Sequence, residues 1–467
     1  MPAPPPLTPG QPDPVMLFDI ALGPGATPSS QAEVTGLAVD DRAAYLLGPV
    51  VGESTQLAVV DKLGQATTAG QLSIAGRWTE ISVLPGPDRS LLALLGSGQL
   101  GIHDPVSGRV TTVFLPAQAR GLAADIDRRL FYVGLEAEIA IVDPDAGRRL
   151  CGIALPGGPT QLGPPEQLLC AENGTLVALL GGAEGAAVAI VEPNASQAEV
   201  IELQNGPRSL CYDDRSGLVF LAVDATAIEP AGVAVIDRDS GRRIGGVIQT
   251  SLSPASLTLL RCGPRTHLYA SVPGAGLEVI DVARRAVVGR LCAVWVGAFA
   301  AADQAAGELY IADRFAGARR ILPLIGGSPI ARHVTRNSST EQITPPLSGP
   351  RTTPDGSTEM QKFDIGTVVA STDAGAVIVD PTHAELWLSS DGPAPGPASA
   401  ADQLGNPVGD TIAEDDHLVT YFERGLMVTT PVTGGPTTVA VPRFEASFNI
   451  GALGVADELE FLLGREQ

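Results

Sequence analysis

The sequence predicts an all-β protein built as a β-propeller, and three observations support this fold class. An apolar strand that ends in an acidic residue, followed by a short polar turn and a second strand, recurs roughly every 40 to 50 residues, the spacing of propeller blades. A hairpin with turn-forming residues, such as Leu37–Gly48 with Asp40 and Asp41 in its turn, precedes each copy. The composition, with 54 Gly, 39 Pro and 18% charged residues, suits short strands joined by many turns.

Taken in order, the repeats define most of the blades. Six complete blades are predicted over residues 35–76, 77–119, 120–159, 160–207, 208–254 and 255–297. A seventh blade begins near Ala298, after which the regular pattern fails. The segment 328–362, rich in Pro, Ser, Thr and Gly, is predicted to be an inserted loop, and 391–408 a second low-complexity insertion.

The strand pattern returns between and after the two insertions. Within Gly375–Ser390, the segments Ala376–Asp380 and Glu385–Ser389 are predicted to form another acid-ended hairpin. A further blade is predicted over 409–442, with Val432 to Pro436 in a turn between its outer strands.

The two ends of the chain predict how the propeller closes. Residues Gly451–Gly464 resemble the opening hairpin of a blade, but no outer strands follow them, and Val15–Leu22 is a lone strand before the first complete blade. We expect these segments to share one blade, because closure removes unpaired strand edges. The sequence therefore predicts a Pro-rich extended arm over 1–14 and a single propeller over 15–467, with eight blades and seven or nine as alternatives.

One stretch of residues resembles a known repeat family. Phe131–Pro159 reads FYVGLEAEIAIVDPDAGRRLCGIALPGGP, and Val233–Ile248 and Leu277–Leu291 are similar to it. This resembles the YVTN-type propeller repeat over roughly residues 35–300, although Gly134 stands where that repeat has Asn. The family includes surface-layer-like proteins, lactonases and lyases, so the resemblance implies a fold and no single activity.

Charge and composition exclude several classes of partner. The formal net charge of −22 disfavours nucleic acids and anionic membrane surfaces, because both are negatively charged. Met1–Pro14 has neither a basic start nor an apolar core, so no signal peptide is predicted, and no apolar run approaches the length of a membrane-spanning helix. We expect synthesis in the cytoplasm, with incorporation into a particle or complex as an open alternative.

The acids that end the repeated strands are the first candidate site residues: Asp61, Asp104, Asp143, Glu192, Asp237 and Asp281. They could line a pore or bind calcium, and Asp143–Gly147 and Asp237–Gly241 have an Asp-x-Asp-x-Gly pattern. However, the later bidentate acid of a complete calcium loop is missing. We therefore predict that each acid accepts hydrogen bonds from the amides of its own turn.

Histidines and cysteines give no close metal or redox spacing. The histidines are His103, His267, His333, His383 and His417, of which the second, fourth and fifth occupy turn-like positions where solvation is expected. The cysteines are Cys151, Cys170, Cys211, Cys262 and Cys292, interpreted as small buried hydrophobic residues. Nucleophile elbows and phosphate-binding loops are absent, so the sequence predicts no catalytic, cofactor-binding or metal-binding residue and no cofactor.

Arginine pairs are the most uneven charge feature: Arg128–Arg129, Arg148–Arg149, Arg242–Arg243, Arg284–Arg285 and Arg319–Arg320. They could bind carboxylate-bearing partners or pair with neighbouring acids. The alternative is that they are solvated residues at the turns, where they blunt strand edges.

Three functions follow from these patterns. The favoured one is a non-catalytic structural or protein–protein interaction module in a larger assembly, such as a phage particle, a secretion or injection apparatus or a bacterial multisubunit complex. Its partners would be other protein subunits or further copies of the chain. The second is a lactonase-like or lyase-like enzyme, which requires acids and a histidine at one mouth of the central channel. The third is a ligand- or glycan-binding propeller that uses loop aromatics.

Overall fold

A computed structural model describes residues 15–21 and 34–442, with gaps of which the longest are 62–69, 156–164, 292–298, 335–345 and 389–403. The protein is all-β, as the sequence predicts. The chain divides into two compact units, Thr8–Pro323 and Leu324–Gln467, the latter together with Met1–Leu7. We call them the seven-sheet unit and the two-sheet unit, after the four-stranded sheets that the described residues form.

The seven-sheet unit begins with β1 (Val15–Ala21) and then repeats a four-stranded meander. Sheet 1 has β2 (Gly36–Val39), β3 (Ala43–Val51), β4 (Ser54–Asp61) and β5 (Gly70–Ala75). Sheet 2 has β6 (Trp78–Leu84), β7 (Leu91–Gly96), β8 (Gln99–His103) and β9 (Val110–Phe114). Sheet 3 has β10 (Arg120–Asp125), β11 (Leu130–Gly134), β12 (Glu138–Asp143) and β13 (Arg148–Ala154).

Four further sheets complete this unit. Sheet 4 has β14 (Pro165–Cys170), β15 (Leu176–Gly182), β16 (Gly185–Val191) and β17 (Glu199–Leu203). Sheet 5 has β18 (Ser209–Asp213), β19 (Leu218–Val223), β20 (Gly232–Asp237) and β21 (Ile248–Gln249). Sheet 6 has β22 (Ser256–Cys262), β23 (Arg265–Val272), β24 (Gly276–Asp281) and β25 (Ala286–Leu291). Sheet 7 has β26 (Phe299–Asp303), β27 (Glu308–Asp313), β28 (Gly317–Ile325) and β1.

Alternation along each strand explains how these sheets stack. In β11, Phe131 and Val133 are fully buried against sheet 2, and Tyr132 between them is buried against sheet 4. Successive side chains of a strand point to opposite faces, so a strand that is apolar throughout needs a neighbouring sheet on each side. Burying one such large side chain contributes about 1.5–3 kcal/mol.

The first strands of the sheets contact one another in sequence. Contacts run from β2 to β6, β10, β14, β18, β22 and β26, and from β26 back to β2. Because the first strand of every sheet meets the first strand of the next, the arrangement is consistent with a propeller-like fold.

The N-terminal strand β1 pairs within sheet 7. β1 pairs with β28 in sheet 7, to which residues 299–325 supply only three strands. Without β1, the edge of β28 would be unpaired, and the pairing satisfies that edge. The predicted partner, Gly451–Gly464, lies outside the described residues.

The two-sheet unit differs from the prediction of one propeller over 15–467. Sheet 8 has β29 (Arg351–Thr352), β30 (Thr358–Phe363), β31 (Gly366–Ser371) and β32 (Gly375–Val379). Sheet 9 has β33 (Ile412–Glu414), β34 (His417–Phe422), β35 (Gly425–Thr430) and β36 (Thr437–Pro442). Sheet 9 matches the predicted blade at 409–442. The predicted loop at 328–362 instead contains β29 and β30, in which Met360 and Phe363 are buried.

The predicted strand Glu385–Ser389 was wrong, because residues Pro381–Leu388 form helix α1. Asp380 caps this helix, since its Oδ1 accepts a hydrogen bond of 2.9 Å from the Thr382 amide. Pro381 suits the first helical position, where its missing N–H costs nothing. His383 and Trp387, one turn apart, are both buried. The Asp-Pro pair was the sequence signal for this helix.

Gly134, the departure from the YVTN repeat, has a packing explanation. A Cβ at this position would lie 2.3 Å from the Arg120 carbonyl oxygen and 2.7 Å from the Pro165 side chain. The strands β10 and β11 have an irregular register between Arg120 and Leu122, where Gly134 pairs. Only glycine fits this close approach of sheets 3 and 4.

Candidate functional site

A central cavity of about 600 Å³ is lined by the first strands or first turns of all seven sheets. Its lining comprises 39–41, Pro85, Ile126, residues between 167 and 172, 211–212, residues between 257 and 261, and 300–305. A cavity of this size suits a small ligand, so the chemistry of its polar groups decides what it can do.

Arg261 is the centre of the main charged cluster in this lining. It is the penultimate residue of β22, and its side chain is only 9% exposed. Its guanidinium lies 2.8 Å from Glu172 and 3.0 Å from Asp213. It also forms an ion pair with Asp214. Burial opposes the charge, but the hydrogen bond to Asp213 and the nearby carboxylates outweigh it, so the pKa of Arg261 is raised. The cluster fastens sheets 4, 5 and 6 to one another.

Other polar groups of the lining also join successive sheets. The Gln167 side chain accepts a hydrogen bond of 2.8 Å from the Leu210 amide and donates one of 3.1 Å to the Leu210 carbonyl. Gln304 accepts one of 3.0 Å from the Arg261 amide and donates one of 2.6 Å to the Leu259 carbonyl. Both side chains thus satisfy backbone groups of the neighbouring sheet, which gives them a structural role.

The two cysteines that line the cavity are poor nucleophiles. Burial is the main cause that raises the pKa of the Cys170 thiol to about 12, and the same holds for Cys211. Thiols with such pKa values remain protonated near neutral pH and react slowly. Both agree with the predicted role as small apolar residues, whereas Cys151 on the outer strand β13 is exposed, contrary to prediction.

The histidines do not meet at the central cavity, and none belongs to its lining as far as the structure describes it. His103 in β8 is buried. His267 in β23 and His383 in α1 are buried as well, so the predicted solvation of these two was wrong. The apolar character of the flanking strands favours burial over a turn position. Within the described chain, no three His, Cys, Asp or Glu side chains group as a metal site.

The buried His383 is instead part of a hydrogen-bonded chain in the two-sheet unit. Its Nδ1 lies 2.6 Å from the Thr420 hydroxyl and its Nε2 lies 2.8 Å from the Thr429 hydroxyl. Thr420 in turn bonds Thr411 and Thr429 bonds Thr438, each at 2.6 Å. Burial lowers the pKa of His383 against the opposing charge of Asp380. The two threonine hydroxyls satisfy both ring nitrogens of a neutral imidazole, one of which donates and the other accepts.

Four of the repeated acids act as predicted, within their own turns, whereas the Glu192 side chain pairs with Arg238 of sheet 5. Asp143 Oδ1 accepts hydrogen bonds of 2.9 Å from the amides of Asp145 and Ala146. Asp237 accepts from the amide and hydroxyl of Ser240, and the hydroxyl bond is the main cause that lowers its pKa. Asp104 and Asp281 accept amide hydrogen bonds in the same way. The side chain of Asp61 is outside the described set.

Four of the arginine pairs contact acids of their own sheet. Arg149 pairs with Glu138, and Arg320 with Glu308. Arg243 lies 2.9 Å from Glu229, and Arg284 lies 3.0 Å from Asp281. Thus each of these pairs has one member with an acidic partner, which is one of the two interpretations that the sequence left open.

A second cavity, of about 650 Å³, lies between sheets 5 and 6, and we call it the arginine groove. Arg215, Arg265, Arg284 and Arg285 line it together with Asp213 and Asp281, and its apolar lining includes Leu218, Val235, Ile244 and Val282. Sequence analysis singled out only the pair Arg284–Arg285. Because the four arginines come from three separate turns, their convergence depends on the neighbouring positions of the two sheets.

No family model matches the chain, and no curated protein matches it. Among solved structures, the chain is similar to a chain described as Kuenenia stuttgartiensis hydrazine synthase, with a TM-score of 0.42 and 17% identity. The similarity covers 62% of this chain and 95% of that chain. A likeness at this level carries no argument about function.

In the described part of the chain, no helix is long and apolar enough to cross a membrane.

Proposed function

We propose that the seven-sheet unit is a closed seven-bladed propeller of the YVTN-like type. The cycle of contacts among first strands supports the closure, and so does β1, which supplies the fourth strand of the last sheet. A blade completed by the distant N-terminal segment ties the two ends of the array together.

We further propose that the chain is a non-catalytic interaction module that binds other protein subunits in a larger assembly. The observation that carries this proposal is that the main polar side chains lining the central cavity are bonded to neighbouring sheets of the protein itself. Arg261 is matched by three carboxylates, and Gln167 and Gln304 bond the backbone of adjacent sheets. Because these polar groups bond neighbouring sheets to one another, they make the array rigid. A rigid array presents its loops and turns to partners.

The lactonase-like alternative has less support. It requires a histidine beside acids at the mouth of the cavity, and the described lining holds acids without one. The pKa values of the two cavity thiols, Cys170 and Cys211, are raised, so these thiols are poor nucleophiles. The glycan-binding alternative has no aromatic platform in the described lining beyond Tyr212, whose hydroxyl accepts a hydrogen bond of 3.0 Å from Arg238.

Two measurements test the proposal together. Affinity purification of the tagged chain from its native cells should yield a partner that re-forms a complex of fixed stoichiometry from purified components in size-exclusion chromatography. In parallel, the purified chain should turn over none of a panel of lactones. Saturable turnover that is lost in Glu172→Gln, a mostly exposed residue at the cavity, would overturn the proposal, as would a chain that forms no reconstituted complex.

A further inference from the structure

The arginine groove has a charge opposite to that of the rest of the molecule. The chain has 52 acidic and 30 basic residues, yet four arginines and two aspartates line this cavity. Both aspartates already have basic partners, since Asp213 pairs with Arg261 and Asp281 with Arg284. Arg215 is exposed and makes no ion pair within the part of the chain that the structure describes. Arg215 and Arg285 therefore offer positive charge to a ligand in this groove.

Arg285 occupies a position that glycine holds in three related turns. Gly108, Gly147 and Gly241 each lie four residues after the repeated acid of their turn, with φ of 69°, 62° and 62°. Arg285 lies four residues after Asp281 with φ of 53°, and its amide donates to the Asp281 carbonyl at 2.8 Å, as the Gly108 amide does to Asp104. An arginine in this left-handed conformation is disfavoured relative to glycine.

The Arg285 side chain spans the groove. Its Nη2 donates a hydrogen bond of 2.9 Å to the Gly246 carbonyl, so the guanidinium of a sheet 6 turn contacts a sheet 5 loop. A guanidinium has five N–H donors, and this is the one hydrogen bond that the described residues accept from it. The remaining donors are available to a planar acceptor such as a carboxylate.

We propose that the arginine groove binds an extended acidic segment of a partner protein. Carboxylates of the segment would pair with Arg285 and Arg215, and its intervening apolar side chains would contact Leu218, Val235 and Ile244. The lining of the groove includes apolar side chains and its volume suits a short segment of chain, which favours a peptide with alternating acidic and apolar residues over a free inorganic anion. This inference rests on the proposed function as an interaction module and names the class of partner.

The test uses the full chain and two capped peptides, one with alternating Glu and Leu and one with Gln in place of every Glu. Fluorescence anisotropy should show saturable binding of the Glu peptide, weakened by high salt, and at least about tenfold weaker binding of the Gln peptide. Inorganic phosphate serves as a competitor. If phosphate displaces the peptide completely at a concentration comparable to that of the peptide, the groove is a simple anion site and the inference is wrong.

Arg285→Gly is the decisive variant, because glycine is the native residue in the sister turns and the fold should tolerate it. We expect it to weaken binding of the Glu peptide by about tenfold, the loss of one charge-assisted contact. Arg109→Ala is the matched control: it removes one exposed arginine after the turn of sheet 2, away from the groove, and should leave binding unchanged. Equal affinities for the wild type and Arg285→Gly would overturn the inference.

The two proposals fail in distinguishable ways. If the reconstituted complex with the native partner forms equally well with Arg285→Gly, the groove is not the docking site, while the interaction function stands. If no partner complex forms but the Glu peptide binds the groove with the expected arginine dependence, the interaction module in its proposed form is wrong and the acidic-segment site stands.

Discussion

The seven-sheet unit and the two-sheet unit use buried polar groups in different ways. In the seven-sheet unit, the buried Arg261 forms ion pairs with Asp213 and Asp214 and joins adjacent sheets. In the two-sheet unit, a buried neutral group, His383, is satisfied by two threonine hydroxyls between α1 and sheet 9. The difference teaches that an array of similar sheets needs polar contacts between each sheet and the next, whereas a core without repeats can be specified by a single polar network.

The largest effect is expected from breaking the charged cluster. Arg261→Leu should destabilise the seven-sheet unit by about 3–5 kcal/mol, because it leaves Asp213 and Asp214 buried without a counter-charge. Urea denaturation, with hydrogen exchange followed for peptides of each unit, measures the change and locates it. Arg243→Leu is the control, since solvent screens its exposed pair with Glu229 and the change in stability should be small. Equal losses in both variants would contradict the structural role of the cluster.

A smaller effect is expected from acidification of the two-sheet unit. Burial lowers the folded-state pKa of His383 below its ordinary value of 6.5, so the unfolded chain binds the additional proton more readily. The contribution of His383 to the free energy of unfolding is therefore fully present above pH 6.5 and is lost as the pH falls below that value. Hydrogen exchange of peptides from α1 and β34, corrected for intrinsic rates, should show the loss.

The control for this prediction is His383→Gln, which removes the titrating group and keeps an amide that can bond one threonine. This variant should be less stable at neutral pH, with a flatter pH dependence in the same peptides. His103 in the seven-sheet unit also has a pKa lowered by burial, so peptides of β8 should keep their own acid sensitivity in the variant. If the pH dependence of hydrogen exchange in the α1 peptides is unchanged in the variant, His383 is not the cause of that dependence.

The smallest effect is expected from exchanging residues between sister turns. Gly108→Arg should cost about 1 kcal/mol, because its φ of 69° suits glycine. Arg285→Gly should change the free energy of unfolding by less than about 1 kcal/mol, since relief of the left-handed conformation offsets the greater freedom of glycine when unfolded. Thermal unfolding of both variants measures this. A large loss of stability in Arg285→Gly would show that Arg285 serves the fold rather than a ligand.

Repetition explains how much of the fold could be predicted. The strands of sheets 1 to 6 fall within the predicted blades, because each blade repeats the same apolar strands and acid-ended turns within its own 40 to 50 residues. Helix α1 was missed because only one copy of its sequence exists, so no repeat could reveal that Asp380 and Pro381 begin a helix.

The candidate sites could be predicted only where a signal is local. Asp104, Asp143, Asp237 and Asp281 were interpreted correctly because the amides that donate hydrogen bonds to them lie two or three residues away. The Arg261 cluster joins residues more than 40 positions apart, as do the contacts of Gln167 and Gln304. Nothing in the sequence near Arg261 marks Asp213 as its partner.

By itself, the amino-acid sequence determined the strands, their turns and the acidic character of the molecule, because these depend on neighbours in the chain. Tertiary structure decided which strand β1 pairs with, that His267 and His383 are buried, and that four arginines from three separate turns meet in one groove. The physical reason is distance along the chain: stacking of sheets brings together side chains that lie far apart in sequence, and a local sequence pattern does not show which of them meet.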